Sequence, residues 1–403
     1  MHRADPVHTE RGFDRLVNFT DAVAAIAATL LILPLISRVS DYNGDPDAEN
    51  ILLQPETWWQ VLWFALTFWL ITQFWSTHHQ IFERVKDYTP RLMVLVFIWL
   101  AGIVFLAFPS GLLNEASASN FIGLMYFGGL TVVTVAAALM SNYVADQPQL
   151  LINPDQAKVN QWLWLFPGLF ASMGLLSQIE LTADYVYVGF LLIPVISGIT
   201  AKHNPPAPPH TERGFDRIVN FSDAVIAIAI TLLILPLIDV VSDATDSGDI
   251  SDLDIDALWK GGAFLVTFFV MARFWFVHHR IFETLKDYSP RLITLSLIWL
   301  ILMVFLAFSA GLQGESEPAE GSALLYLGTM SLINLVAFAI DAYAHRHPEL
   351  RTDSDDQRAP SKFPLIFAAL FLIMGVASLF IGPWCFLGFL LMPVIGRMWA
   401  RRQ

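Results

Sequence analysis

The chain is poor in several things that most proteins use. It has one cysteine, Cys385, in 403 residues. A lone thiol in an apolar run excludes a disulfide framework and a cysteine-based zinc site. Charge is scarce as well: Asp, Glu, Lys and Arg make up 15% of the chain, against about a quarter in a soluble domain. That deficit argues against a soluble globular protein. No Walker loop, nucleophile elbow or H-E-x-x-H is present, so neither an enzyme nor a cofactor is expected. The opening stretch, MHRADPVHTERGFDR, lacks the apolar region and small-residue cleavage site of a signal peptide. Cations are outnumbered, 23 Lys and Arg to 36 Asp and Glu, and an acidic surface repels nucleic acid.

What fills the chain instead is apolar sequence, 55% of all residues, in runs of membrane-spanning length. A membrane helix needs roughly 20 such residues, and a β-barrel would show short alternating segments. The fold class expected is an all-α polytopic membrane protein. The first half carries six runs, at about 13–36, 58–82, 92–113, 121–144, 162–179 and 185–200. The second half repeats them. HTERGFDRLVNFTDAVAAIAATLLILPLI at 8–36 returns as HTERGFDRIVNFSDAVIAIAITLLILPLI at 210–238, with Arg15 matching Arg217. FWSTHHQIFERVKDYTPRL at 74–92 returns as FWFVHHRIFETLKDYSPRL at 274–292, FLAFPSGL as FLAFSAGL, and GFLLIPVI as GFLLMPVI. The organisation is two six-span repeats, 1–201 and 211–403, giving 12 transmembrane helices. Between them lies a Pro-rich linker, 202–210, containing PPAPP, a semi-rigid spacer.

Lys and Arg cluster on one side of the expected spans. Arg3, Arg11 and Arg15, then Arg84, Lys86 and Arg91, then Lys202, Arg213 and Arg217, and finally Arg397, Arg401 and Arg402 fall there. The opposite loops are acidic, with Asp45, Asp47 and Glu49 and an Asp series from 239 to 256. This places both termini and the linker in the cytoplasm of a multi-pass protein of the cell membrane. Six spans per half is an even number, so the halves enter the membrane from the same side and form a parallel repeat.

Each first span opens on a charged, hydroxylated motif: Arg15, Phe19, Thr20, Asp21, and again Arg217, Phe221, Ser222, Asp223. R-x-x-x-F-S-D at the start of a first membrane helix resembles the signature of the endosomal/lysosomal potassium channel family, the transmembrane protein 175 family. The second copy matches in full, and the first keeps a hydroxyl with Thr20. The resemblance covers nearly the whole chain. It implies a potassium-permeable channel without a P-loop filter, in which four copies of the first helix surround a pore and two-repeat chains form a homodimer. By position, it implies that the constriction is Ile26 and Ile228, with Thr29 and Thr231 one turn further out. Leu30, Leu33, Leu232 and Leu235 would extend the pore lining. The resemblance also implies potassium as the permeant ion and the lipid bilayer as the surroundings.

The residues bear on this directly. At about 100° per residue, Arg15, Phe19, Ala22, Ile26 and Leu33 share one helix face, and Asp21 lies about 140° from Ile26. The aliphatic face suits a pore axis, and equally a lipid or core surface. Asp21 is costly in a membrane unless paired. Charged residues already precede it by two turns, which favours a buried polar network over an N-terminal cap. His78 and His79, and His278 and His279, end the second spans. Adjacent residues point to different faces, so one inward and one outward histidine is expected, as partner of the motif or in the headgroup zone. No metal site is expected of them. Arg273 lies inside a span where the first half has Gln73; snorkelling and an inter-helix pair both account for it. A secondary transporter is the competing class, because it also uses repeated six-span halves. It would carry midplane polar groups and broken helices, whereas the first span reads as uninterrupted from Ala22 to Leu33. A proton-permeable channel is the other alternative.

Overall fold

The KDYTPR and KDYSPR segments show how this sequence starts a membrane helix. In the computed structural model of the chain, Thr89 caps a helix that begins at Pro90, and its hydroxyl accepts from the Leu92 N–H at 3.2 Å. Ser289 does the same for the helix beginning at Pro290, accepting from the Leu292 N–H at 3.2 Å. Proline fits there because first-turn N–H groups have no partner within a helix. Each cap hydroxyl also meets a tyrosine hydroxyl, Tyr143 at 2.9 Å and Tyr343 at 3.0 Å. Beside each cap the chain forms an isolated antiparallel bridge, Val85 with Leu151 and Leu285 with Arg351. Both repeats therefore tie the same two connections together.

The structure describes residues 10–42, 50–113, 120–183, 185–203, 211–238, 255–315, 318–352 and 360–391. Linker residues 204–210, acidic loop residues Asp45, Asp47 and Glu49, the Asp series at 239–254, and Arg3, Arg397, Arg401 and Arg402 lie outside them. The helices used below are α1 (Glu10–Leu30), α2 (Leu33–Tyr42), α3 (Pro55–Phe82), α4 (Pro90–Phe105), α5 (Ala107–Leu112), α6 (Asn120–Ala145) and α7 (Leu165–Leu176). They continue with α8 (Glu180–Ala183), α9 (Ile193–His203), α10 (Glu212–Leu232), α11 (Ile255–Phe282), α12 (Pro290–Gly314), α13 (Ser322–Arg346) and α14 (Phe363–Ile381).

The chain is a polytopic helical membrane protein. Among the described residues, nine helical stretches are long and apolar enough to cross a bilayer. Gln161–Leu176 is apolar but shorter, and α3 has the length, 28 residues, with Gln60, Gln73, Thr77, His78 and His79 interrupting its apolar surface.

Contacts divide the chain into two compact units, one of Met1–Leu31 with Leu62–Ala224 and one of Ile32–Val61 with Val225–Gln403. In the first, α4 and α7 pack on α6, and α1 packs on α4. Close approach of α4 to α6 requires Gly102, where a Cβ would stand 2.7 Å from Val133. In the second, α12 and α14 flank α13, and α2 and α11 lie against α12. Repeat-specific contacts recur in each unit. Thr67 bonds Tyr126 at 2.9 Å, and Thr267 bonds Tyr326 at 2.7 Å.

Two helices depart from what their sequences suggest. The first span is not a continuous helix from Ala22 to Leu33: a turn at Leu31 and Ile32 separates α1 from α2. Pro34 has no N–H to give to the preceding turn and its ring crowds it. The second copy, with Pro236, has the same turn at Leu233 and Ile234. The third span also differs between halves. Pro109 interrupts it, ending α4 at Phe105, whereas Ser309 lets α12 run unbroken for 25 residues.

Candidate functional site

α1 begins at Glu10, so Asp21 lies three turns into a helix and does not cap it. Its carboxylate is buried, and the structure places three donors around it. Arg217 Nε donates to Oδ2 at 2.9 Å and Nη2 to Oδ1 at 2.8 Å, a two-point grip. Trp75 Nε1 donates to Oδ1 at 2.9 Å. Both charged side chains are only 2% exposed. Arg217 also reaches the His79 carbonyl at 3.4 Å and His78 Nδ1 at 3.4 Å. A guanidinium can only donate, so His78 accepts at Nδ1 and a neutral ring carries its proton on Nε2.

Aromatic rings enclose this ion pair. Phe221 stacks on Trp75 at 4.1 Å. His78 lies between Phe82 at 4.2 Å and Trp99 at 4.8 Å. His79 stands over Trp75 at 5.4 Å, with its Nε2 at 3.9 Å from Glu83. The expectation of one inward and one outward histidine does not hold in the first half: both are buried, because α3 meets packed neighbours on both of those faces. In the second half His278 is buried between Phe282 and Trp299 at 4.2 and 4.5 Å, while His279 is 40% exposed and 3.2 Å from Glu283.

The two motif copies serve different ends. Arg217 and Phe221 are buried, and Arg15 and Phe19 are exposed. Arg15 cannot reach Asp21, because six residues along a helix place them about 120° apart. The hydroxyl position plays one part in both copies: Thr20 Oγ1 donates to the Leu16 carbonyl and Ser222 Oγ to the Ile218 carbonyl, each at 2.8 Å. Asp223 is half-buried.

Further along α1, Ile26 is 44% exposed between buried Ala24, Ala25, Ala27 and Ala28, and Phe19 on the same face is 49% exposed. Thr29 is buried, its hydroxyl donating to the Ala25 and Ile26 carbonyls at 3.0 and 2.8 Å. In the second copy Ile228 is half-buried, and Thr231 is exposed while donating to the Ile228 carbonyl at 2.8 Å. Leu30, Leu33, Leu232 and Leu235 are half-buried. Trp75 has a central part in the site that sequence reasoning missed. Its signal was the recurrence of FW-x-x-HH, which sets a tryptophan four residues before a histidine, one turn away on the same face. Among the described residues no group of three His, Cys, Asp or Glu side chains is arranged to hold a metal ion.

A family model for the endosomal/lysosomal potassium channel TMEM175 matches residues 15–107 and again 217–306. Each match begins on the arginine of a motif copy, the two residues whose contrasting burial distinguishes the copies. Over these two segments the chain resembles the TMEM175 family. The chain is similar to the human endosomal/lysosomal proton channel TMEM175, 25% identical over 302 residues, which is 66% of this chain and 59% of that protein. The chicken TMEM175 protein is 24% identical over 348 residues, covering 76% of this chain and 67% of its own. A potassium channel of Chryseobacterium sp. (strain P1-3) is 24% identical over 173 residues, 43% of this chain and 86% of the bacterial one. The TMEM175 match to the human protein thus leaves about two fifths of that relative's length unaligned.

Proposed function

We propose that this chain is a cation channel permeable to potassium, with its constriction on the first helix of each repeat. The observation that carries the reading is the division of α1 into two faces. One is fastened by the buried Asp21–Arg217 pair, and the other presents Phe19 and Ile26 unburied. A helix held rigidly on one side can offer a fixed apolar face to a pore axis on the other. No TVGYG-like loop connects any two spans, so selectivity would come from side chains and not from a carbonyl filter. An apolar ring admits ions that have shed part of their hydration, which favours potassium over sodium moderately. The match to the family model supports an ion channel, and the bacterial relative is named a potassium channel.

Four first helices are needed to wall such a pore, and one chain supplies two, so the working form is a homodimer in the lipid bilayer. The exposed Arg15 and Phe19 support this. Within the chain, Arg217 and Phe221 seat on Asp21 and Trp75, and the equivalent positions for Arg15 and Phe19 of a second copy are Asp223 and Trp275. Ile26 and Ile228 then approach one axis at one level, with Thr29, Leu30, Leu33, Thr231, Leu232 and Leu235 around them. Both termini face the cytoplasm of the cell membrane.

The test is Ile26→Asn with Ile228→Asn, measured by reversal potential under bi-ionic potassium and sodium. Larger currents and converging permeabilities are expected; unchanged selectivity and conductance would place the constriction elsewhere. The vertebrate relatives are named proton channels, which favours proton permeation as the second reading. A reversal potential that follows a pH gradient would establish it. The helix breaks at Leu31 and Leu233 lie among aliphatic residues, so they offer no polar midplane site of the kind a transporter needs. Flux into proteoliposomes that needs a proton gradient would nevertheless favour the transporter.

A further inference from the structure

The second unit contains a cationic groove that the channel reading does not use. Arg273 lies on α11, nine residues before its end at Phe282. Its guanidinium stands 5.1 Å over the ring of Phe363, the first residue of α14. From there Phe363, Phe367 and Phe371 follow one face of α14 at four-residue spacing, with rings 4.7 and 6.1 Å apart. Phe274 meets Phe371 edge-on at 6.4 Å. These residues line a pocket of about 490 Å³. It opens outward past Phe269, which is 67% exposed.

Charge gathers at one end of the groove. Arg280 is two turns along α11 from Arg273, and Lys362 directly precedes Phe363; both are exposed. Among the described residues, no carboxylate pairs with Arg273, Arg280 or Lys362. The aromatic floor runs on for about 12 Å along α14, eight residues at 1.5 Å each. The equivalent region of the first half is built differently. It is smaller, about 230 Å³, has Gln73 in place of Arg273, and is lined with Thr77, Ser141, Asn160 and Ser197.

We propose that this groove binds an anionic phospholipid, its phosphate on Arg273 and an acyl chain along Phe367 and Phe371. The cation fork suits a phosphate, which a guanidinium grips at two points. Arg273 is level with the first residue of α14, so its charge and that of Lys362 stand together at the end of that helix. An arginine in an apolar groove is stable only with its charge met by water, an anion or a bilayer defect. An acidic headgroup meets it while the chain covers the exposed rings. Zwitterionic lipid brings its own cation and gains less from three basic residues.

Native mass spectrometry of the full chain in detergent tests this, with phosphatidylglycerol and phosphatidylcholine of identical acyl chains titrated separately. Arg273→Gln, which installs the first half's residue, should lower phosphatidylglycerol adducts at least fivefold and leave phosphatidylcholine unchanged. Arg273→Lys keeps the charge but loses the two-point grip, so its phosphatidylglycerol binding should fall between those of the wild type and Arg273→Gln. Arg291→Gln removes the same charge outside the groove and should change nothing. Equal phosphatidylglycerol binding by wild type and Arg273→Gln overturns the proposal. So does equal loss of both lipids, or a loss in Arg291→Gln as large as in Arg273→Gln.

Discussion

Asp21 and Arg217 bring two charges out of water and into an enclosure of Trp75, Phe221 and His78. A pair this buried contributes little beyond an apolar pair of equal volume, but losing one member leaves the other stranded. Asp21→Ala should therefore destabilise the chain by about 3–5 kcal/mol, and Asp21→Ala with Arg217→Leu should recover a large part of that. Thermal unfolding in detergent, followed by size-exclusion loss, checks both; a single variant as stable as the wild type would refute the account. At this scale the sequence pointed to Asp21, Arg217 and the histidine pair, missed Trp75, and did not say how they pair. The two motif copies are near-identical, so nothing in the residues themselves says that Asp21 takes the arginine of the other copy. Arg15 and Arg217 differ in burial only because of what packs around them, and a repeat cannot reveal that.

Two helix starts follow from local residues alone. Thr89 and Ser289 stand where capping chemistry requires them, each followed by proline. Removing one cap, Thr89→Ala, should cost about 1 kcal/mol, and Ser289→Ala a similar amount, with the effects adding because the caps lie in separate units. Urea unfolding of the single and double variants measures this, and a double variant no weaker than either single would count against it. The breaks were harder to read. Pro34 and Pro236 lie inside apolar runs that satisfy any hydropathy window, so the runs read as continuous although the hydrogen-bond ladder is interrupted before each proline. Pro109 and Ser309 are an internal comparison: the same FLAF segment is broken with proline and continuous without it.

At the scale of the whole molecule, duplication has produced two halves that are alike in plan and unlike in detail. The membrane class and the repeat were plain from composition and alignment of the chain with itself. The number of crossings was not: α3 is long but speckled with polar side chains, and Gln161–Leu176 is short. The outward Arg15 and Phe19 give assembly its own test. Arg15→Glu should raise the monomer fraction in detergent, and Arg15→Glu with Asp223→Arg should restore the dimer, as read by light scattering. A wild-type chain that conducts as a monomer would end the dimer proposal.

The Asp21–Arg217 grip spans 196 residues of sequence, and this separation governs how the protein is made. A ribosome adds about 5–20 residues per second, so about 10–40 seconds pass between the synthesis of the carboxylate and that of its partner. Through that interval Asp21 has Trp75 as a donor but no opposing charge, and the insertion of the first helix is provisional. Only when α10 enters does α1 acquire its permanent hold, so the second repeat completes the folding of the first. A nascent chain halted before Arg217 should accordingly leave α1 open to extraction or to capture by insertion chaperones, although every residue of the first repeat is already present.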